Sequence, residues 1–206
     1  MLTIHLVPVG ATDLSQNGEL LGLNNPPLNS AGVLHADEAA DLIRETVLEA
    51  VFSGPLKRQL VTARRIALPH SLPVRTEKNL MDVNYGGWSG RTWVELRNNE
   101  TNLFSKLGNS PHRFRFPSGE KMKKSWKRLQ SFARYLLGNF GVGHVVVVAD
   151  EFIIMMLVSL ITEADFIGLE PWKPSDGGTT IIDCDQGKCQ IRVLRGNRPS
   201  ESLSEP

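Results

Sequence analysis

Four ionisable side chains occupy positions where this chain could do chemistry. Asp82 precedes a glycine-rich loop, Asp150 and Glu151 follow a run of valines, and Arg58 lies in the first turn of a predicted helix. Carboxylates that share an apolar pocket can have separated pKa values, which general acid–base catalysis needs. We therefore take Asp82, Asp150 and Glu151 as candidate catalytic residues and Arg58 as a candidate anion-binding group.

Each of these residues also has a purely structural interpretation. Asp150 stands where an aspartate could cap the amino terminus of a helix. Asp82 could be a turn residue, and Glu151 could point either into a pocket or into solvent. Arg58 could be held in a salt bridge by Asp82 or Asp150. The sequence leaves these alternatives open.

The first strand is the element that must position these groups. Apolar residues at positions 4, 6, 7 and 9 are typical of a strand buried on both faces of a parallel sheet, and the strand ends at Gly10. Ligands of open α/β sheets bind beyond the carboxyl ends of such strands. Pro8, Val9, Gly10 and Thr12 are therefore predicted to form the floor of the site, which carries no nucleophile, base or charge.

Strands and helices alternate along the predicted chain. Strands are expected at residues 3–9, 50–53, 74–76 and 144–149, with a closing hairpin at 178–184 and 189–195. Helices are expected near residues 30–46, 55–68, 91–98, 119–138 and from 150 onward. This alternation predicts an α/β fold with a mostly parallel sheet.

Composition restricts the range of partners and compartments. The chain has 206 residues and a formal net charge of +1, without a long apolar run or a charged leader. We expect a cytoplasmic protein that binds neither nucleic acid nor membrane. Cys184 and Cys189 flank a predicted hairpin turn, and we expect reduced thiols, with a cross-strand disulfide as the alternative. We predict no cofactor and no metal, although the acidic cluster could bind a hard cation.

Two further segments differ from the regular elements. Residues 99–119 are polar and are predicted to be an irregular insertion or lid. The helix expected at 119–138 carries five basic residues in its first half, which indicate either a solvated face or a docking surface for an acidic protein partner. Residues 197–206 are predicted to be a disordered tail.

Several short motifs, taken in order, resemble one known family. They are Gly10-x-Thr12, the block from Ser53 to Ala63, the loop Tyr85-Gly86-Gly87-Trp88 and the segment from Phe116 to Glu120. Over most of residues 3–195 the chain resembles the histidine phosphatase superfamily, whose members are similar to phosphoglycerate mutase. The resemblance implies a three-layer α/β/α sandwich, here one domain over residues 1–196 with a lid at about 99–119.

This chain differs from the family at several positions that carry the family's catalytic and phosphate-binding residues. Where the family has an arginine and the phosphorylated histidine, this chain has Pro8 and Val9. Glu19 stands at the position of a second arginine, and Asp150 at that of a second histidine. Asp82 matches the family acid, and Arg58 matches its phosphate-binding arginine. Because valine has no nucleophilic atom and the added carboxylates repel phosphate, we expect a chain that has lost phosphohistidine phosphatase and mutase chemistry.

Two functions remain under this expectation. In the first, the pocket binds a neutral or cationic small molecule, with acid–base catalysis of an isomerisation, cyclisation or elimination by the candidate carboxylates. In the second, the chain is a non-catalytic pseudophosphatase that acts as a regulatory or scaffold binding protein. The predicted ligand-binding residues are Pro8, Val9, Gly10, Thr12, Glu19, Arg58 and Trp88. Trp88 could alternatively be a packing anchor of its loop.

Overall fold

The computed structural model describes residues 1–164 and 179–194, so the predicted tail at 197–206 and the end of the predicted domain lie outside it. The strands are β1 Leu2–Pro8, β2 Leu48–Ser53, β3 Val74–Thr76, β4 Gly143–Ala149, β5 Thr179–Asp185 and β6 Lys188–Leu194. The helices are α1 Asp13–Gln16, α2 Ser30–Leu42, α3 Lys57–Ala67, α4 Trp93–Asn99, α5 Thr101–Asn109, α6 Met122–Asn139 and α7 Glu151–Thr162. Short 3-10 turns span Leu68–His70, Lys78–Leu80, Gly86–Trp88 and Pro111–Arg113.

The six described strands form one sheet in the order β3-β2-β4-β1-β5-β6. β1 pairs in parallel with β4, and β2 pairs in parallel with β3 and β4, whereas β5 is antiparallel to both of its neighbours. The prediction of an α/β fold with a mostly parallel sheet is confirmed. Because the carboxyl ends of β1, β2 and β4 meet at one edge, the loops that follow Pro8, Ser53 and Ala149 share that edge.

Each face of the sheet is covered by helices, which makes the three layers. On β1, Ile4 and Leu6 belong to the larger core cluster, to which α6 and α7 contribute. Val7 points the other way, into a smaller cluster that includes residues of α2 and α3. This alternation follows from the two-residue period of a strand, and both faces of β1 are buried, including its polar residues Thr3 and His5.

The segment predicted to be irregular is partly helical. Residues 101–109 form α5, because Leu103, Phe104 and Leu107 share one helical face and pack against the larger core cluster. The polar residues between them hid this short amphipathic pattern. That the segment acts as a lid stays a prediction. α2 also ends earlier than expected, at Leu42.

The expectation of reduced thiols was wrong. Cys184 and Cys189 are directly opposite on β5 and β6 and form a cross-strand disulfide. Gln186 and Gly187, with φ angles of 46° and 81°, make the two-residue turn that sets this register. Elsewhere, no helix within residues 1–164 and 179–194 is both long and apolar enough to cross a membrane.

Candidate functional site

Arg58 is placed by the way α3 begins. The side chain of Gln59 accepts a hydrogen bond from the backbone N–H of Leu56 at 3.0 Å, which fixes the first turn of the helix. Gly54 makes room for that side chain, since a Cβ atom there would lie 2.1 Å from Gln59 Oε1. This start of α3 directs the Arg58 side chain into the protein at the carboxyl edge of the sheet. The Arg58 side chain is fully buried there.

The Arg58 guanidinium donates hydrogen bonds to two carboxylates and two backbone carbonyls. Nε donates to Asp150 Oδ1 at 2.5 Å, and Nη2 donates to Asp82 Oδ2 at 3.2 Å. Nη1 donates to the carbonyl of Asn24 at 2.6 Å, and Nη2 also donates to that of Gly22 at 2.9 Å. The salt-bridge alternative for Arg58 is therefore present, with both predicted partners at once. We call Arg58, Asp82 and Asp150 the buried charge cluster.

Both acids of the buried charge cluster are harder to ionise than usual. Burial raises the pKa of the Asp82 carboxyl well above its usual value, and the negative charge of Asp150 raises it further. Burial also raises the pKa of Asp150, against the opposing effects of Arg58 and of a hydrogen bond from Gln59. One arginine cannot fully offset two buried carboxylates, so the cluster favours the state in which a proton is retained.

Asp150 occupies the N-cap position that the sequence predicted, but its side chain does not cap the helix. Asp150 is the N-cap residue of α7, but its carboxylate makes no capping hydrogen bond. Instead Oδ1 accepts from Arg58, and Oδ2 accepts from Gln59 Nε2 at 2.8 Å. A buried arginine and amide compete successfully with backbone N–H groups for this carboxylate, because neither has solvent as an alternative partner.

Glu151 and Tyr85 belong to the same electrostatic neighbourhood. Burial raises the pKa of the Tyr85 phenol well above its usual value, and the carboxylates of Asp82, Asp150 and Glu151 each raise it further. The Glu151 residue itself is exposed at the start of α7. The negative charges of the three predicted catalytic carboxylates thus act on the same buried phenol.

Two predicted site residues lie apart from the cluster. Among the described residues, the Glu19 carboxylate makes no hydrogen bond to Arg58; it accepts one from Asn17 at 3.3 Å, and its backbone forms an isolated bridge with Thr92. Trp88 is fully buried and donates to Glu100 Oε2 at 2.9 Å. It packs in an aromatic cluster with Trp93, Phe114 and Phe116. The packing-anchor interpretation of Trp88 fits this environment.

The floor of the site is held mainly by its backbone. The N–H of Val9 donates to the carbonyl of Ala149 at 3.1 Å, and the N–H of Gly10 donates to Thr62 Oγ1 at 3.0 Å. Thr12 is buried and caps α1. Pro8 is half-buried at the end of β1. These four residues lie at the predicted edge of the sheet, and none of them carries a charged side chain.

Three contributors to the buried charge cluster were not predicted from the sequence. Gln59 holds Asp150 and also donates to the carbonyl of Leu80 at 3.0 Å, and the carbonyls of Gly22 and Asn24 hold Arg58. The position of Gln59 directly after Arg58 could have indicated its role. The backbone carbonyls of Gly22 and Asn24 have no counterpart in the sequence pattern. Within the described residues, no group of three or more His, Cys, Asp or Glu side chains is arranged to hold a metal ion.

The raised carboxyl pKa values make stability depend on pH. Below pH 3.8, the pKa of this carboxyl in the unfolded chain, Asp82 is protonated in both the folded and the unfolded protein. The stability that protonated Asp82 contributes is lost as the pH rises through its higher pKa in the folded protein. We therefore expect the free energy of unfolding of Asp82→Asn, minus that of wild type, to increase from pH 4 to pH 8, by about 1.4 kcal/mol per unit of pKa elevation.

Urea unfolding at several pH values measures this difference. Glu38→Gln, which removes one exposed carboxylate from α2, is the matched control and should not reproduce the trend. A difference that stays constant or decreases with pH would contradict a raised pKa at Asp82.

Two solved phosphatase structures share the fold of this chain. The alpha-ribazole phosphatase from Shigella flexneri matches with a TM-score of 0.81 at 21% identity, covering 94% of this chain and 96% of that one. A phosphoserine phosphatase mutant from Entamoeba histolytica, in complex with phosphoserine, matches with a TM-score of 0.82 at 22% identity, covering 94% and 96%. At these identities the likeness establishes the fold.

A relative detected by sequence bears on function. Phosphoserine phosphatase 1 from Hydrogenobacter thermophilus is 28% identical over 132 residues, which are 64% of this chain and 63% of that protein. The matched part thus spans somewhat less than two thirds of the relative. The expectation of lost phosphatase chemistry, with a repurposed pocket or a scaffold role, is contradicted by this relative, which is named as a phosphatase. That expectation relied too heavily on the replacement of the family's arginine and histidine by Pro8 and Val9.

A family model gives the broadest match. The model for the histidine phosphatase superfamily, branch 1, matches residues 4–196, which include the six described strands, except the first two residues of β1, and every residue of the buried charge cluster. The order of motifs and the three-layer fold agree with this match. The chain therefore belongs to the histidine phosphatase superfamily, branch 1.

Proposed function

We propose that this chain hydrolyses phosphate monoesters of small molecules at the buried charge cluster. Membership of the family and the name of the relative from Hydrogenobacter support this class of substrate. The observation that carries the proposal is one buried arginine beside a carboxyl group of raised pKa, at the carboxyl edge of parallel strands. The small-molecule partner is then an anion, rather than the neutral or cationic ligand expected from the sequence.

Protonation of Asp82 is the step that makes room for the phosphoryl group. Its hydrogen bond to Arg58 Nη2, at 3.2 Å, is the longest of the four that Arg58 donates. Once Asp82 is neutral, the cluster carries one positive and one negative charge, and a phosphoryl oxygen can accept from Nη2 in its place. Asp150, bound by both Arg58 and Gln59, keeps the guanidinium oriented.

Water is the nucleophile in this proposal, because the side chain of Val9 has no atom that could accept a phosphoryl group. The water oxygen attacks phosphorus and gives its proton to the Glu151 carboxylate. The bond from phosphorus to the ester oxygen breaks, and that oxygen takes the proton of Asp82. The products are an alcohol and inorganic phosphate, and the proton on Glu151 returns to Asp82 through solvent.

Release of inorganic phosphate from phosphoserine, 3-phosphoglycerate and p-nitrophenyl phosphate tests the proposal. We expect turnover by wild type, and a loss of about 10²- to 10⁴-fold in Asp82→Asn, since an amide cannot donate the proton. Glu38→Gln should retain the wild-type rate. Phosphate release at the same rate from wild type and Asp82→Asn, or at no detectable rate from either, would contradict the proposal.

Direct attack by water also predicts how the atoms are labelled. In ¹⁸O water, the released phosphate should contain one solvent oxygen, and a ³²P-labelled substrate should leave no label on the chain. A labelled chain would refute direct attack. The cytoplasmic location and a lid at 99–119 also remain proposals.

A further inference from the structure

A second group of unused charges lies around a groove beside α5. The groove has a volume of about 230 Å³ and is lined by Leu103, Lys106, Ser110, Arg113, Phe114 and Arg115. Leu103 and Phe114 give it an apolar surface, while the three cations come from α5, from the turn Pro111–Arg113 and from the residue that pairs with Lys121. We call this feature the α5 groove.

The surroundings of the α5 groove are strongly positive in a nearly neutral chain. Residues 101–128 contain eight Lys and Arg side chains and one acid, Glu120. The whole chain, by contrast, has 23 Lys and Arg residues and 22 Asp and Glu residues. Arg128 is used internally, since it lies 3.4 Å from Glu120 and donates to the carbonyl of Asn79. The other seven cations are exposed. Their potentials add in this region, which favours an anionic ligand.

Within the described part of the chain, no acid is paired with the three cations of the α5 groove. Among residues 1–164 and 179–194, no ion pair or side-chain hydrogen bond involves Lys106, Arg113 or Arg115. Other surface arginines of this chain do find partners: Arg44 bonds Asp41, and Arg65 bonds Asp37. Three unneutralised cations around one concave, partly apolar surface have the donors and the shape for a bound anion.

We propose that the α5 groove binds a small organic polyanion with a short carbon skeleton. Its volume is below the roughly 300 Å³ at which pockets for drug-sized ligands begin, so the ligand is small. Three cations match two or three anionic groups, and Leu103 and Phe114 contact the carbon atoms between them. The site is new with respect to the proposed hydrolysis, because its lining includes no member of the buried charge cluster.

Isothermal titration with citrate tests the proposal, because citrate contains three carboxylates and no phosphate ester. We expect saturable binding to wild type at 150 mM salt, and a loss of affinity of about tenfold or more in Arg113→Gln and in Arg115→Gln. Acetate, a single carboxylate, should not bind measurably. Lys123→Gln and Lys124→Gln remove exposed cations of the same basic region outside the groove, and each should stay within about twofold of wild type.

Two results would overturn the site. Equal losses in the Arg113, Arg115, Lys123 and Lys124 variants would show a diffuse basic surface, such as one for an acidic protein, rather than a groove. Absence of saturable citrate binding would refute the ligand class. Circular dichroism of each variant confirms its fold, and phosphate release in Arg113→Gln shows that the buried charge cluster is intact.

Discussion

Replacement of Arg58 by methionine is expected to lower the free energy of unfolding by about 3–5 kcal/mol at pH 7. The substitution keeps an apolar stem of similar length but removes the cation between Asp82 and Asp150, which are both buried. Burying an unpaired carboxylate costs free energy, and the negative charges of Asp82 and Asp150 also repel each other. Because each carboxyl can be neutralised by a proton, the loss should shrink as the pH is lowered toward 5.

Urea unfolding of Arg58→Met at pH 7 and pH 5 measures both effects. The triple variant Arg58→Met/Asp82→Asn/Asp150→Asn should recover much of the stability, since it removes the charges that the methionine leaves unpaired. Arg65→Met is the matched control, because its bond to Asp37 is half-exposed and worth at most about 1 kcal/mol. An Arg58→Met protein as stable as Arg65→Met would show that the cluster contributes little to folding.

Replacement of Gly10 by alanine is expected to destabilise the protein by about 3 kcal/mol, the upper end of the typical range for overpacking. The turn after β1 approaches the first turn of α2 so closely that a Cβ atom on Gly10 would lie 2.2 Å from the carbonyl oxygen of Gly32. The obstacle is backbone, so no side chain can rotate away. Relief would shift the turn that carries Pro8 and Val9, and phosphate release should fall with stability.

Gly138→Ala is the matched control for the same chemical change. Gly138 lies in α6 with open space where a Cβ atom would stand, so alanine should stabilise the helix by about 0.5–1 kcal/mol. Thermal unfolding of both variants gives the comparison. A Gly10→Ala protein with the wild-type melting temperature would show that the turn and α2 separate easily.

The sequence by itself predicted the sheet and its order of elements well, because the signals are local. The valine run gives β4, the glycine at position 187 marks the hairpin turn, and hydrophobic periodicity gives α2 and α6. The resemblance to the family also implied one pocket for Arg58, Asp82 and Asp150, and the structure joins them by hydrogen bonds. It did not reveal α5, whose apolar residues matter only because the core is next to them.

What the tertiary structure decided was which partners each polar group takes. The sequence allowed Asp150 to cap α7, and burial gave its carboxylate to Arg58 and Gln59 instead. It allowed free thiols, and the register of β5 and β6 brought Cys184 and Cys189 together. It did not show that Arg58 also needs the carbonyls of Gly22 and Asn24. Such choices depend on competition among groups distant in sequence, where loss of solvent makes each unsatisfied donor or charge costly.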